Sequence, residues 1–134
     1  MSIGINDIIQ VDRRDVTGNI GSEAAVALIG TTPNAASVTQ ITSTSTAVTL
    51  NSPVGSVVMA SAAGSTTNTS FTVNNSYVDI GDVVVVSVRT GIDARRVDVL
   101  ASAAGSFVIG TATFTGVTVE APVINFVVIK GAIV

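Results

Sequence analysis

The stretch that decides the fold is Gly81-Asp82-Val83-Val84-Val85-Val86-Ser87-Val88-Arg89-Thr90-Gly91. Five of the seven residues between Asp82 and Thr90 are valine, whose β-branched side chain fits a strand better than a helix. Because the stretch is short and has glycine at both ends, it predicts a strand rather than a membrane span. Alternation along this strand separates two sets of side chains: Val84, Val86 and Val88 on one face, and Val83, Val85, Ser87 and Arg89 on the other.

The second face of this strand is more apolar than a solvent-facing surface requires. A strand on the outside of a sandwich normally carries polar residues on its outer face, whereas Val83 and Val85 stand there. We therefore predict that Val83 and Val85 lie in a contact with another copy of the chain or with a second layer of the same assembly.

The composition points in the same direction. Charged residues make up only 11% of the 134 residues and hydrophobic residues 47%, against a charged share of about 25% in typical globular domains. No charged residue occurs from Ala24 to Val78. Long uncharged surfaces built from serine, threonine and small apolar residues suit an assembly, because free monomers usually spread charge over their surface. The alternative is a small, neutral, soluble β-domain.

Several functional classes are excluded or disfavoured by what the sequence contains. It has no cysteine and no histidine, so the usual catalytic triads and zinc sites cannot be built, and we predict no enzyme activity, cofactor or metal. A net charge of −3 argues against a nucleic-acid partner. No apolar run approaches the roughly 18 residues of a membrane span, and the N-terminus has no secretory signal pattern.

Two parts of the chain differ in pattern. Residues 1–35 predict an N-terminal extended arm, and residues 36–134 predict a β-sandwich domain. Within the arm, residues 22–30 suit either a short helix or an extended segment. The densest charge cluster also lies there, and it is either a docking patch for a partner or a solvated cluster; its members are Asp12, Arg13, Arg14 and Asp15.

The second part predicts an all-β fold, an antiparallel β-sandwich of about eight strands with a jelly-roll-like arrangement. Short alternating segments recur about every ten residues between polar turns, which is typical of sandwiches and barrels. Residues 62–68 read as a loop, and residues 115–121 are ambiguous because Pro122 limits them to a loop or a sheet edge. The predicted strands are residues 38–42, 46–51, 54–60, 69–74, 82–89, 97–101, 105–113 and 123–130.

Two further groups of charged residues are candidate sites. Asp79 and Asp82 flank a turn and could bind calcium, but aspartate is common in turns and no third carboxylate lies nearby in sequence, which favours the turn. Arg95 and Arg96 stand among acidic residues. They predict either an ion-pair cluster at a subunit interface or solvated turn charges.

From Ser37 onward the chain resembles a β-sandwich domain found in virion proteins of tailed bacteriophages. The resemblance is carried by the order and spacing of six segments: residues 38–43 (VTQITS), 47–51 (AVTLN), 70–76 (SFTVNNS), 82–87 (DVVVVS), 103–109 (AAGSFVI) and 120–130 (EAPVINFVVIK). It implies a virion structural module without catalytic residues, often trimeric, on a capsid decoration protein or a fibre.

Two functions follow from that resemblance. The first is a capsid decoration (cement) protein on the outer surface of the phage head, with the major capsid protein as partner and the chain itself as a homotrimer. The second is a trimeric fibre or tail-tip module that binds a host surface glycan. The second function needs exposed aromatic side chains at a distal tip, and a sequence with one tyrosine and no tryptophan counts against it.

Overall fold

The computed structural model describes residues 36–131. These residues contain strands and no helix, which confirms the all-β prediction, and no segment among them forms a helix that could cross a membrane. The predicted arm, its charge cluster at residues 12–15 and the helix-or-strand question at residues 22–30 lie outside the described residues. The strands are β1 (Ala36–Thr39), β2 (Val48–Thr49), β3 (Val54–Val58), β4 (Ala62–Ala63), β5 (Thr69–Asn74), β6 (Val83–Thr90), β7 (Arg95–Ala103), β8 (Ser106–Thr113), β9 (Val119–Glu120) and β10 (Val123–Ile129).

Eight of these strands form the two sheets of a sandwich. Sheet I has the order β1-β3-β10-β6, and sheet II has the order β2-β5-β8-β7. Each sheet is mixed rather than purely antiparallel as predicted: β1 runs parallel to β3, and β2 runs parallel to β5. The reason is that the chain crosses from one sheet to the other between β1 and β2 and again between β2 and β3. Strands that are next to one another in sequence therefore do not pair as hairpins there.

Two very short strands complete the fold. Ala62 and Ala63 pair with Glu120 and Val119 as a separate two-stranded sheet. The prediction of a loop over residues 62–68 is therefore wrong at its first two residues, and the ambiguous segment 115–121 contains a strand. Strands of two residues carry no alternation that a sequence pattern could show.

The core lies between the inner faces of the two sheets. The rings of Phe126 in sheet I and Phe107 in sheet II meet edge to face, with their centroids 5.2 Å apart, a favourable aromatic geometry. Gly55 makes room for this pair, because a Cβ at that position would lie 2.9 Å from the Phe126 ring. The other buried apolar side chains of the cluster are Val48, Val57, Met59, Phe71, Val73, Val78, Ile109, Ile124 and Val128.

The alternation predicted for the opening stretch is confirmed from Val83 to Val86, but Val88, predicted on the same face as Val84 and Val86, is 37% exposed. Val84 and Val86 of β6 pack against the core, whereas Val83 and Val85 point away from it and are exposed. Strand β10 alternates in the same way. On one face of β10, Ile124, Phe126 and Val128 are fully or almost fully buried.

Two bulges interrupt the sheets. Arg89 is the extra residue where β6 pairs with β10, and Leu100 is the extra residue where β7 pairs with β8. A bulge shifts the faces of the residues that follow it. Strict alternation along the predicted strand 97–101 would put Ala101 on the same face as Val97 and Val99, and this is wrong: Val97 and Val99 pack against the core, and Ala101 is exposed.

The strand directions define two ends of the sandwich. At the first, here called the Ala36 end, β1 begins and the turns at residues 50–53, 75–82 and 104–105 lie together with Lys130 and Gly131. At the other, called the Gln40 end, the loops at residues 40–47, 91–94 and 114–118 lie together with the β4–β9 pair. The described part of the chain therefore begins at the Ala36 end.

Candidate functional site

The outer face of sheet I carries a contiguous apolar surface, here called the outer patch and defined by Val54, Val83, Val85, Val127 and Ile129. Strand register creates it: Ile129 lies opposite Val83, and Val127 lies between Val85 and Val54. Directly opposite side chains in a sheet are about 5 Å apart and contact each other. Val83 is 54% exposed, Val85 47% and Ile129 39%. These side chains thus form one surface open to solvent rather than isolated exposed residues.

The outer patch ends at a polar row. Asn125 lies opposite Ser87 on one side and Ser56 on the other, and the Ser56 hydroxyl donates a hydrogen bond of 3.0 Å to Asn125 Oδ1. The patch and this row contain no charged residue. Apolar patches bordered by polar residues are typical of protein contact sites on soluble proteins.

A buried carboxylate fixes the beginning of β6 beside the patch. Asp82 is fully enclosed; Lys130 Nζ donates to its Oδ2 at 2.6 Å and Gly131 N–H to its Oδ1 at 2.9 Å. The Asp79 N–H donates a further bond of 2.8 Å, which closes the turn at residues 79–82, where Gly81 has a positive φ of 88°. The turn prediction for Asp79 and Asp82 is confirmed. Because three donors already occupy the Asp82 carboxylate, it is not free to bind calcium.

A second buried carboxylate fixes the Gln40 end. Glu120 accepts hydrogen bonds from the N–H groups of Ile92 and Asp93 and pairs with Arg95 at 2.9 Å. The side chains of Arg95 and Glu120 are only 7% and 6% exposed. Asp93 in turn accepts bonds from the N–H and the hydroxyl of Thr118. These contacts hold the turn between β6 and β7 against the segment between β8 and β10.

The two arginines predicted as interface residues have different surroundings. Arg95 lies in the buried pair with Glu120, whereas Arg96 is on the surface, where it pairs with Asp98 at 2.8 Å and donates to Asn68. They separate because neighbouring strand residues point to opposite faces. Their place at a subunit interface stays a prediction. Sequence reasoning missed Glu120 as the partner of Arg95, although it is the only acidic residue after Asp98.

A small cavity lies beside Arg95 at the Gln40 end. Its volume is about 30 Å³, and its lining includes Met59, Thr69, Thr111 and Glu120. This volume admits water molecules but is far below the roughly 300 Å³ at which substrate pockets begin. Residues 36–131 also contain no cluster of three acidic side chains that could hold a metal ion.

A second set of exposed apolar side chains lies in the loops and in strand β9 at the Gln40 end. Phe114, the only strongly exposed phenylalanine among the described residues, is 63% exposed. The Glu120 and Asp93 hydrogen bonds hold its loop in place. The members of the set are Ile41, Ile92, Phe114, Val117 and Val119.

The two buried carboxylates predict how stability depends on pH. Burial by itself would raise the pKa of Asp82 and of Glu120, but the hydrogen bonds and the nearby Lys130 and Arg95 outweigh burial and lower both pKa values. The unfolded chain therefore binds more protons than the folded one as the pH falls below the ordinary values of 3.8 and 4.5. The free energy of unfolding is expected to be constant above pH 5 and to fall progressively below about pH 4.5.

Urea titrations at pH 7, 5, 4 and 3 measure this dependence. The double variant Asp82→Asn/Glu120→Gln is expected to be less stable than the wild type at pH 7. Its free energy of unfolding should also change less than that of the wild type between pH 5 and pH 3. A wild-type stability that is the same at pH 5 and pH 3 would contradict the assignment of these two carboxylates.

Comparison with known proteins adds no identification: no known protein family matches the chain, and no significantly similar curated protein or solved structure was found.

Proposed function

We propose that this protein is a capsid decoration protein, which binds the outer surface of a bacteriophage head and stabilises the contacts between capsomers. The observation that carries the proposal is the outer patch, an exposed and uncharged apolar surface on one sheet of the sandwich. The resemblance to virion β-sandwich domains gives the patch its biological setting. The major capsid protein and further copies of the chain are the proposed partners.

A decoration protein acts through contact area rather than through one strong bond. Specific protein interfaces bury roughly 1,200–2,000 Å², and a partner that binds only the assembled shell stabilises it by mass action. The outer patch lies toward the Ala36 end, where residues 1–35 join the domain. We propose that shell attachment uses this end, that the charge cluster at residues 12–15 contributes to it, and that the chain associates with itself, the resemblance implying a homotrimer.

Copy number on purified particles tests the proposal. Quantitative mass spectrometry of DNA-filled heads should find hundreds of copies per particle. It should be possible to remove these copies without loss of the tail proteins. A few copies that remain with purified tails would overturn the decoration function and favour a fibre or tail-tip module.

Deletion of residues 2–34 tests the attachment. We expect the truncated chain to keep the β-sandwich, because the core residues all lie between Val48 and Val128, and to lose binding to heads. Circular dichroism and co-sedimentation with undecorated heads measure the two effects. Saturation of the heads by the truncated chain would show that attachment does not need the arm.

A glycan-binding fibre or tail-tip module is the second candidate, and one observation favours it. Phe114 is exposed at the Gln40 end, opposite the end where the arm joins, and an exposed ring can stack on a sugar. Tyr77 is also exposed but lies at the Ala36 end. A single exposed aromatic residue at the distal end makes a weaker platform than the outer patch makes for protein contact.

A further inference from the structure

Among the strands of residues 36–131, β6 is a long edge strand whose own sequence lacks the usual protection of an edge. It pairs with β10 on one side, and no strand within residues 36–131 pairs with its other side. From Val83 to Val88 it carries no charge and no proline, and its bulge comes only at Arg89. Such an edge presents unpaired N–H and C=O groups that another strand can bind.

The neighbouring edge of sheet II shows the contrast. Strand β7 is also long, but its outward residues Arg96 and Asp98 form an exposed ion pair, and the bulge at Leu100 interrupts its middle. Charges and bulges are the features by which natural sheets prevent pairing between edges. Within residues 36–131, charges and a bulge thus protect the long edge of sheet II, whereas the β6 edge beside the outer patch has neither between Val83 and Val88.

We propose that β6 pairs antiparallel with β6 of a second copy, about a two-fold axis at Val85. Residues opposite each other in a sheet point to the same face, so odd-numbered outer residues must pair with odd-numbered ones. This register meets that condition, because the two sequence numbers of each pair sum to an even number. It places Val85 opposite Val85 of the second copy and Val83 opposite its Ser87. The two outer patches then merge into one apolar surface across a continuous eight-stranded sheet.

The charges at the ends of β6 agree with a second copy as the occupant. In this register Arg89 of one copy lies opposite Gly81 of the other, beside the turn that contains Asp79. Asp79 is half-buried, and Arg89 is exposed, so each end of the paired strands brings a positive group to a negative turn. Opposite charges across a contact fix its register and discourage other pairings. The centre of the contact holds no charge at all.

The inference deepens the proposed self-association and does not depend on the capsid. A two-fold contact by itself gives dimers; combined with a three-fold contact on another surface, it links trimers into pairs. In either case the assembly that the full-length protein forms in solution contains an even number of chains.

Light scattering after size exclusion tests the contact on the full-length protein. Val85→Asp places two carboxylates opposite each other on the axis. Like charges facing each other across an interface cost several kcal/mol, so the dissociation constant of the two-fold contact is expected to rise by about 100-fold or more, which halves the number of chains per particle. Val117→Asp is the matched control, because Val117 is exposed in the Gln40-end loops, and it should leave the assembly unchanged. A folded Val85→Asp protein with the wild-type number of chains would overturn the proposal.

Hydrogen exchange of the wild-type protein gives an independent readout that does not require the variant to fold. Alternate amides of β6 point to the open edge, and they should be protected at high protein concentration and lose that protection on dilution. Protection that is independent of concentration would overturn edge pairing. Because these experiments use the isolated protein, their failure leaves the head-binding measurement, and hence the decoration function, to be decided separately.

Discussion

Replacing Phe126 with alanine is expected to lower the free energy of unfolding by about 3–5 kcal/mol. The ring is 2% exposed, lies against Phe107 of the opposite sheet and covers Gly55, which has no side chain to fill the space left behind. The substitution therefore removes both buried apolar area and the edge-to-face contact between the sheets. A small domain is stable by only about 5–15 kcal/mol, so the loss is a large fraction of the total.

Phe114→Ala is the matched control for this experiment. It removes the same side chain from an exposed site, where substitutions change stability by about 0.5 kcal/mol or less. Chemical denaturation of the two variants and the wild type measures the difference. Equal destabilisation by the two substitutions would place the core elsewhere than between the two phenylalanine rings.

Glu120→Gln is expected to destabilise the fold by about 3 kcal/mol, the lower end of the range for breaking a buried ion pair. The substitution leaves the charge of Arg95 buried without its carboxylate. It also replaces a carboxylate that accepts hydrogen bonds from the N–H groups of Ile92 and Asp93 with an amide, which has only one accepting oxygen. The effect is measured as a shift in the urea midpoint at pH 7. We expect the loops of the Gln40 end to lose hydrogen-exchange protection first.

The double variant Arg95→Met/Glu120→Leu separates the loss of the pair from the loss of a partner. Because it removes both charges, it should be less destabilised than Glu120→Gln. A double variant that is less stable than Glu120→Gln would mean that losing the ion pair costs more than leaving Arg95 buried and unpaired. The unpaired charge would then not explain the effect of the single variant.

The part of the fold that could be predicted from sequence is the part that depends on local alternation. The faces of β6 and β10 follow directly from the positions of valine, isoleucine and phenylalanine, since a side-chain period of two leaves one choice for the buried face. The exposed valines of the outer patch were predictable for the same reason: Val83 and Val85 are apolar at positions where alternation requires the outside.

Partners distant in sequence could not be predicted. Nothing in the local pattern of β1 or β2 shows that each pairs in parallel, because that pairing follows from how the chain crosses between the sheets. The Arg95–Glu120 pair joins residues 25 positions apart, and the sequence offers Arg95 nearer acidic neighbours in Asp93 and Asp98. Only the approach of β9 to the turn before β7 makes Glu120 the partner. The bulge at Leu100 is equally invisible in a run of apolar residues.

The central position of β10 has a consequence for synthesis of the chain. Strand β10 lies between β3 and β6, yet it is made after both of them, so sheet I cannot form while residues 123–129 are still inside the ribosome. Until then β6 has no partner strand in sheet I and β3 has only β1, and a nascent chain with such exposed apolar surfaces is prone to aggregation. Folding of sheet I is therefore expected to be completed in a single late step, after residues 123–129 have left the ribosome, that inserts β10 and buries Phe126.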